Sequence, residues 1–165
     1  MVGSLTMTMS SVNMTGNSAT STGGAIYALG ASANTLTLTG ARFSRNQAAS
    51  GGALSIYGMR IVASRANFAE NNASSFGGAL SVSSAVATLD HITFKENSIT
   101  NRFDIHSVGG GAVAGVSSLF SFSSCQFVSN NAISSVGGGL MVGGGSSVTM
   151  NSASFQSNFA KVSFC

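Results

Sequence analysis

An apolar residue followed three positions later by asparagine recurs six times along the 165-residue chain. The pairs are Met14 and Asn17, Phe43 and Asn46, Phe68 and Asn71, Phe94 and Asn97, Phe127 and Asn130, and Phe155 and Asn158. After each of the first five comes a glycine pair, a small residue and an aliphatic one: Gly23-Gly24-Ala25-Ile26, Gly51-Gly52-Ala53-Leu54, Gly77-Gly78-Ala79-Leu80, Gly110-Gly111-Ala112-Val113 and Gly137-Gly138-Gly139-Leu140. A fixed motif recurring every few tens of residues is the signature of a stacked repeat, in which one unit cannot bury its own apolar face but neighbours can. Successive asparagines are 29, 25, 26, 33 and 28 positions apart. That is too irregular for an array of helical hairpins and natural where loops absorb insertions.

Aligned on the phenylalanine, the position seven before it reads Met7, Leu36, Ile61, Ala87, Phe120, Val148, and five before it Met9, Leu38, Ala63, Leu89, Phe122, Met150. Two before it stand Val12, Ala41, Ala66, Ile92, Cys125 and Ala153. The first two of these apolar columns flank a polar one (Thr8, Thr37, Val62, Thr88, Ser121, Thr149), which is the period of two that marks a strand. The stripe then skips from two apart to three, so a bend or bulge turns the chain while keeping side chains inward. A second strand follows the glycines, with Ile26, Leu54, Leu80, Val113 and Leu140 facing in and Ala28, Ile56, Val82 and Val142 two positions later. Each repeat is therefore one coil of an all-β parallel solenoid of about six coils. In such a stack the phenylalanines meet ring on ring. Each asparagine sits at a corner, where its amide bonds its equivalent one coil away and its tolerance of left-handed backbone eases the turn. The glycines either take backbone angles closed to other residues or permit close approach between coils. The chain has no proline to remove a ladder donor.

Composition narrows the alternatives. The 21 Gly and 31 Ser would suggest low complexity, but a mean hydropathy of +0.34 and 11 Phe require a buried core. Glu, Lys and Gln, the usual surface residues of helices, are too scarce for a helical bundle. Seven Lys+Arg against four Asp+Glu give a net charge of +3. The cations (Arg42, Arg45, Arg60, Arg65, Lys95, Arg102, Lys161) are spread along the chain, so no nucleic-acid partner is expected. No apolar run reaches a membrane span, and the start lacks a basic stretch followed by an apolar one, so neither a span nor a secretion signal is expected.

The paired Phe-x-x-Asn and Gly-Gly-Ala-Ile/Leu/Val motifs resemble those of the polymorphic outer membrane protein repeat, found in chlamydial autotransporter passengers and in related repeat proteins. The resemblance extends over residues 5 to 160. It implies a right-handed parallel β-helix of pectin-lyase-like architecture and, for the bacterial members, surface adhesion. The sequence departs from the family's pattern in showing no signal peptide and no membrane-anchoring barrel, a departure that bears on the autotransporter context and leaves the coil intact.

Few residues offer chemistry. Arg45, Glu70 and Glu96 share the column two after the phenylalanine and should stack on the outside, where a surface Arg-Glu pair is the plainer reading and a cation or acid-base pair the sharper one. The longest insertion, residues 98 to 108, carries Arg102, Phe103, Asp104 and His106 and is expected to protrude as a binding loop. With Asp90 and His91 its Asp104 and His106 could form a metal or acid-base site, but no established ligand spacing is matched, so no metal and no cofactor are expected. The threonine column resembles a hydroxyl ladder for ice, although threonine is also an ordinary outward strand residue. Cys125 falls in an inward column and Cys165 in another, so a bridge between them is not expected. Asn13-Met14-Thr15 and Asn72-Ala73-Ser74 match the glycosylation acceptor pattern, a weak signal in so polar a chain.

These readings converge on a single β-helix domain over 1 to 165 that is a fragment of a longer solenoid or a unit whose ends stack on other subunits, because neither end carries a polar cap. Its expected role is a non-catalytic structural or adhesive module at a cell surface or outside the cell. Its partners would be other subunits, a longer stretch of the same solenoid, or surface glycans. A carbohydrate-active enzyme shares this architecture, but four carboxylates are few from which to build its site.

Overall fold

The computed structural model describes residues 4–100, 109–133 and 135–161, and all twenty-two elements among them are β-strands. No helix among the described residues is long and apolar enough to cross a membrane. The first coil contributes β1 (Thr6–Ser10), β2 (Asn13–Thr15) and β3 (Ile26–Leu29). The second contributes β4 (Thr35–Thr39), β5 (Arg42–Ser44), β6 (Gln47–Ser50) and β7 (Leu54–Tyr57), and the third β8 (Arg60–Ser64), β9 (Asn67–Ala69), β10 (Asn72–Phe76) and β11 (Leu80–Ser83). The fourth is β12 (Val86–Asp90), β13 (Thr93–Lys95), β14 (Ser98–Thr100) and β15 (Val113–Val116); the fifth β16 (Leu119–Ser123), β17 (Gln126–Val128), β18 (Asn131–Ile133) and β19 (Leu140–Gly143). A sixth begins with β20 (Ser147–Asn151), β21 (Ser154–Gln156) and β22 (Phe159–Lys161). That makes five turns and the start of a sixth.

Every strand pairs in parallel with its equivalent one coil away, giving four sheets. Sheet I runs β1-β4-β8-β12-β16-β20, sheet II β2-β5-β9-β13-β17-β21, sheet III β6-β10-β14-β18-β22 and sheet IV β3-β7-β11-β15-β19. The register is that of the sequence columns: Leu36, Ile61, Ala87 and Phe120 are successive partners, as are Phe43, Phe68, Phe94 and Phe127. In the middle coils these columns are sealed, with Leu36, Leu38, Phe43, Ile61, Phe68, Phe94 and Phe127 fully buried. In the end coils, where each side chain has one neighbour instead of two, Met7, Met150 and Phe155 are exposed. Val142, expected inward, is likewise exposed on β19, the last strand of sheet IV.

Sheet III lies between the asparagine and the glycine pair, where the alternation predicts no strand. Its inward column is Ala48, Ala73, Ile99 and Ala132, all buried, five positions after each phenylalanine. Ser98–Thr100 belong to this sheet, paired to β10 and β18, so the insertion expected over 98–108 opens only after Thr100.

The corners explain the skip from two to three in the apolar stripe. A single left-handed residue turns the chain between sheets I and II: Ser11, Gly40, Arg65, His91, Ser124 and Ser152, with φ from 50° to 61°. It is a one-residue bend and not a bulge. Between sheets II and III the left-handed residue is Gly16, Arg45, Glu70, Glu96, Ser129 or Ser157, the one before each asparagine. The expectation that asparagine itself adopts left-handed backbone is therefore corrected. Its neighbour absorbs the turn at about 1–2 kcal/mol when it is not glycine, and the asparagine is delivered into the interior.

There the four buried asparagines, Asn46, Asn71, Asn97 and Asn130, are fully used. The Asn71 Nδ2 donates to the Asn97 Oδ1 at 3.0 Å and to the Phe43 carbonyl at 2.9 Å, while its Oδ1 accepts from the backbone N–H and the Nδ2 of Asn46, each at 3.0 Å. The same ladder runs from Asn17 through Asn46, Asn71, Asn97 and Asn130 to Asn158. Beside it the rings of Phe43, Phe68, Phe94, Phe127 and Phe155 stack with centroids 4.4 to 5.2 Å apart.

The two glycines of each pair do different work. Gly51 (φ 60°) and Gly77 (φ 54°) take the left-handed turn into sheet IV. Gly52, Gly78 and Gly111 lie so close to the next coil that a Cβ would strike the carbonyls of Gly78, Gly111 and Gly138. Packing compensates elsewhere: Phe120 enlarges a column whose members are Leu36, Ile61 and Ala87, and its ring occupies the space a side chain at Gly115 would need.

Replacing Asn71 by alanine orphans two buried donors of Asn46, takes the Nδ2 donor from the Phe43 carbonyl and leaves the Asn97 Oδ1 with the Asn71 backbone N–H alone, and is expected to cost about 3 kcal/mol or more of unfolding free energy. Glu70→Gly, at the adjacent left-handed corner, should change it by less than about 1 kcal/mol. Denaturant unfolding of the two variants checks this, and equal effects would contradict the ladder.

Candidate functional site

Because the interior consists of paired ladders, chemistry is confined to corners, outer faces and the insertion. Of the expected binding loop, Arg102, Phe103, Asp104 and His106 lie outside the described residues. The brackets of that segment are described: the Thr100 hydroxyl donates to the Asn72 Oδ1 at 3.0 Å, and the Gly109 N–H donates to the Ser135 Oγ at 2.8 Å. Thr100 and Gly109 sit where sheet III passes into sheet IV. Asp90 and His91 sit at the corner of sheets I and II, two strands earlier in the same coil. The remaining expected residues, Phe43, Asn46, Phe68, Asn71, Phe94, Asn97, Phe127, Asn130, Phe155 and Asn158 with Gly51, Gly52, Gly77, Gly78, Gly110, Gly111, Gly137 and Gly138, occupy the ladders and glycine corner.

The column Arg45, Glu70, Glu96 is exposed at the corner of sheets II and III. The anticipated Arg45–Glu70 pair does not form; among the described residues the ion pairs are Lys95–Glu96 at 3.4 Å and His91–Asp90 at 2.9 Å. Left-handed residues point their side chains out of the coil, so these chains spread apart in solvent. Cys125 is buried as expected, its Sγ donating to the Leu89 carbonyl at 3.3 Å, and burial raises its thiol pKa. The threonine face of sheet I is continuous through Thr35, Thr37 and Thr39 with Thr6 and Thr8 but is interrupted by Arg60 and Val62 in the next strand.

The corner of sheets I and II carries a constellation that sequence spacing did not join. A cleft of about 350 Å³ is lined by Gly40, Ala41, Arg42, Arg65, Ala66, Asn67, His91 and Thr93. It adjoins a second of about 380 Å³ lined by Ser64, Arg65, Asp90 and His91. The residues come from three successive coils at two stations: the left-handed corner (Gly40, Arg65, His91) and the first position of the sheet II strand (Arg42, Asn67, Thr93). Glycine at the corner of the second coil leaves the floor open, and the two columns are legible once the corner residue is aligned. Among the described residues, no hydrogen bond or ion pair engages the side chains of Arg42, Arg65, Asn67 or Thr93.

The His91 Nδ1 lies 2.9 Å from the Asp90 Oδ2. That hydrogen bond is the largest cause holding the Asp90 carboxyl below its ordinary value of 3.8, with the Ser123 hydrogen bond and the charges of His91 and Arg65 adding, and burial opposing. Because the fold favours the ionised form, the contribution is present at neutral pH and is lost as pH falls through the depressed midpoint. Solvent exposure keeps it small. An NMR titration should place the Asp90 midpoint below 3.8, and His91→Ala should move it back up; an unchanged midpoint would contradict the pairing.

No curated protein and no solved structure matches the chain. Residues 11–29, which run from the first left-handed corner through Asn17 and the first glycine pair into β3, match the family model of the Chlamydia polymorphic membrane protein (Chlamydia_PMP) repeat. The next four coils set the same motif pair at the same stations, so the chain is a parallel β-solenoid whose first coil is similar to that repeat over residues 11–29.

Proposed function

We propose that the chain is a non-catalytic structural and adhesive module of a cell surface or the extracellular space, a stiff rod that presents faces and one inserted segment to protein or glycan partners. The observation that carries this reading is the complete use of the interior by side chains that bond their own equivalents. The Asn and Phe ladders make a rigid body and, among the described residues, leave no titratable group in the middle of it except the Cys125 thiol. The family matched by residues 11–29 is one of membrane proteins, which supports a place at the cell envelope. Among the described residues no three His, Cys, Asp or Glu side chains converge as a metal-activated hydrolase would need.

The inserted segment is the natural contact element, since it leaves a fixed scaffold between two anchored ends. Joining Thr100 directly to Gly109 would set Asn97 five residues before the glycine pair, the spacing already present between Asn46 and Gly51. That deletion of 101–108 is expected to keep the circular dichroism spectrum and the unfolding midpoint within about 5 °C, since surface changes usually stay within about 0.5 kcal/mol. Adsorption of the labelled chain to cultured cells should fall by at least half. Unchanged adsorption would remove the insertion from the contact surface, and absence of adsorption by the intact chain would overturn the adhesive reading.

A further inference from the structure

We infer that the cleft at the corner of sheets I and II binds an acidic polysaccharide through its sulfate or carboxylate groups. The inference rests on the adhesive reading and deepens it by naming the ligand class of one face. Arg42 and Arg65 stand on adjacent coils with no hydrogen bond or ion pair among the described residues, and both line the same concave wall. Guanidinium forks match planar or tetrahedral oxyanions bidentately. Asn67 and Thr93, in line with Arg42 along the sheet II column, add neutral donors and acceptors of the kind that take sugar hydroxyls. Asp90 lines the adjoining cleft and not this one, and it accepts from the His91 Nδ1 at 2.9 Å, which fixes the imidazole ring at the wall.

The geometry selects a polysaccharide over other polyanions. The stations Arg42, Arg65 and His91 follow one another on three successive rungs, so the strip is roughly 10 Å long at the usual strand spacing. A strip of that length takes a few anionic groups, whereas a nucleic-acid site draws on about 6–10 phosphate contacts. An acidic peptide recognised by strand addition needs an unpaired edge. Here β5, β9 and β13 are each hydrogen-bonded on both sides, so the cleft offers side chains and no free backbone edge.

The test is isothermal titration of the intact chain at physiological ionic strength with three probes: a sulfated hexasaccharide, an oligogalacturonate of equal length and uncharged maltohexaose. Saturable binding of either acidic probe, with none for maltohexaose, is expected, and the better acidic probe identifies sulfate or carboxylate as the preferred group. Arg42→Ala and Arg65→Ala should each weaken binding by about 10-fold or more, as expected for a lost charge-assisted hydrogen bond. Arg60→Ala, which removes the same charge outside the cleft, should change it less than about 2-fold. No saturable binding by either acidic probe, or equal losses for Arg60→Ala and Arg42→Ala, would overturn the inference. If both acidic probes fail while the chain still adsorbs to cells, the cleft assignment falls and the adhesive reading stands. If an acidic probe binds through Arg42 and Arg65 but the chain adsorbs to no cell, the reverse holds.

Discussion

A buried primary amide has two donors and two acceptor sites to satisfy, and in the asparagine ladder each is met by the asparagines of neighbouring coils and the backbone beside them. Asn46, Asn71, Asn97 and Asn130 are fully buried, and each takes its amide partners from the asparagines above and below and its remaining bonds from the neighbouring backbone. Leaving such a group unpaired costs about 1–3 kcal/mol. A coil set out of register by one residue would orphan a whole rung and turn its apolar columns toward water. The ladder therefore fixes the register in which the phenylalanines stack and the sheets pair, and local polarisation along the chain of amides strengthens it further.

The same constraint decides where function can reside. Corners made by one left-handed residue throw that residue's side chain outward, and Arg45, Arg65, Glu70, His91 and Glu96 all occupy such positions. The strained backbone is held by ladders on either side of the corner, so the charged groups at successive rungs keep fixed spacing. A rod of this kind presents a periodic surface. The cleft at Arg42 and Arg65 is one segment of that surface, where Arg65 stands in a corner column of serine, glycine and histidine and Arg42 in a strand column of neutral polar residues.

Much of this was legible before coordinates. The apolar columns carry the register of sheets I, II and IV because a stacked interior leaves each column a uniform requirement, visible in Leu36, Ile61 and Phe120 alike. Sheet III was missed because its inward column is almost all alanine (Ala48, Ala73, Ala132), which carries little apolar contrast against serine and glycine; the recurrence five after the phenylalanine was the available signal. The left-handed residue between sheets II and III is the one before each asparagine and not the asparagine itself, since Arg45 and Glu70 have no intrinsic preference for that backbone and only the demand of Asn46 and Asn71 for an inward position puts it there. The cleft was not legible from spacing, because Arg42, Arg65 and His91 look unrelated until the corner and strand stations are superimposed across coils.

Hydrogen exchange at the asparagines gives the most direct measure of the central claim. The backbone and side-chain amides of Asn46, Asn71, Asn97 and Asn130 should be among the slowest in the molecule, exchanging only with global unfolding. Their exchange at the rate of a freely solvated amide, such as the exposed side-chain amides of Asn67 and Gln126, would contradict a solenoid held in register by its asparagine ladder.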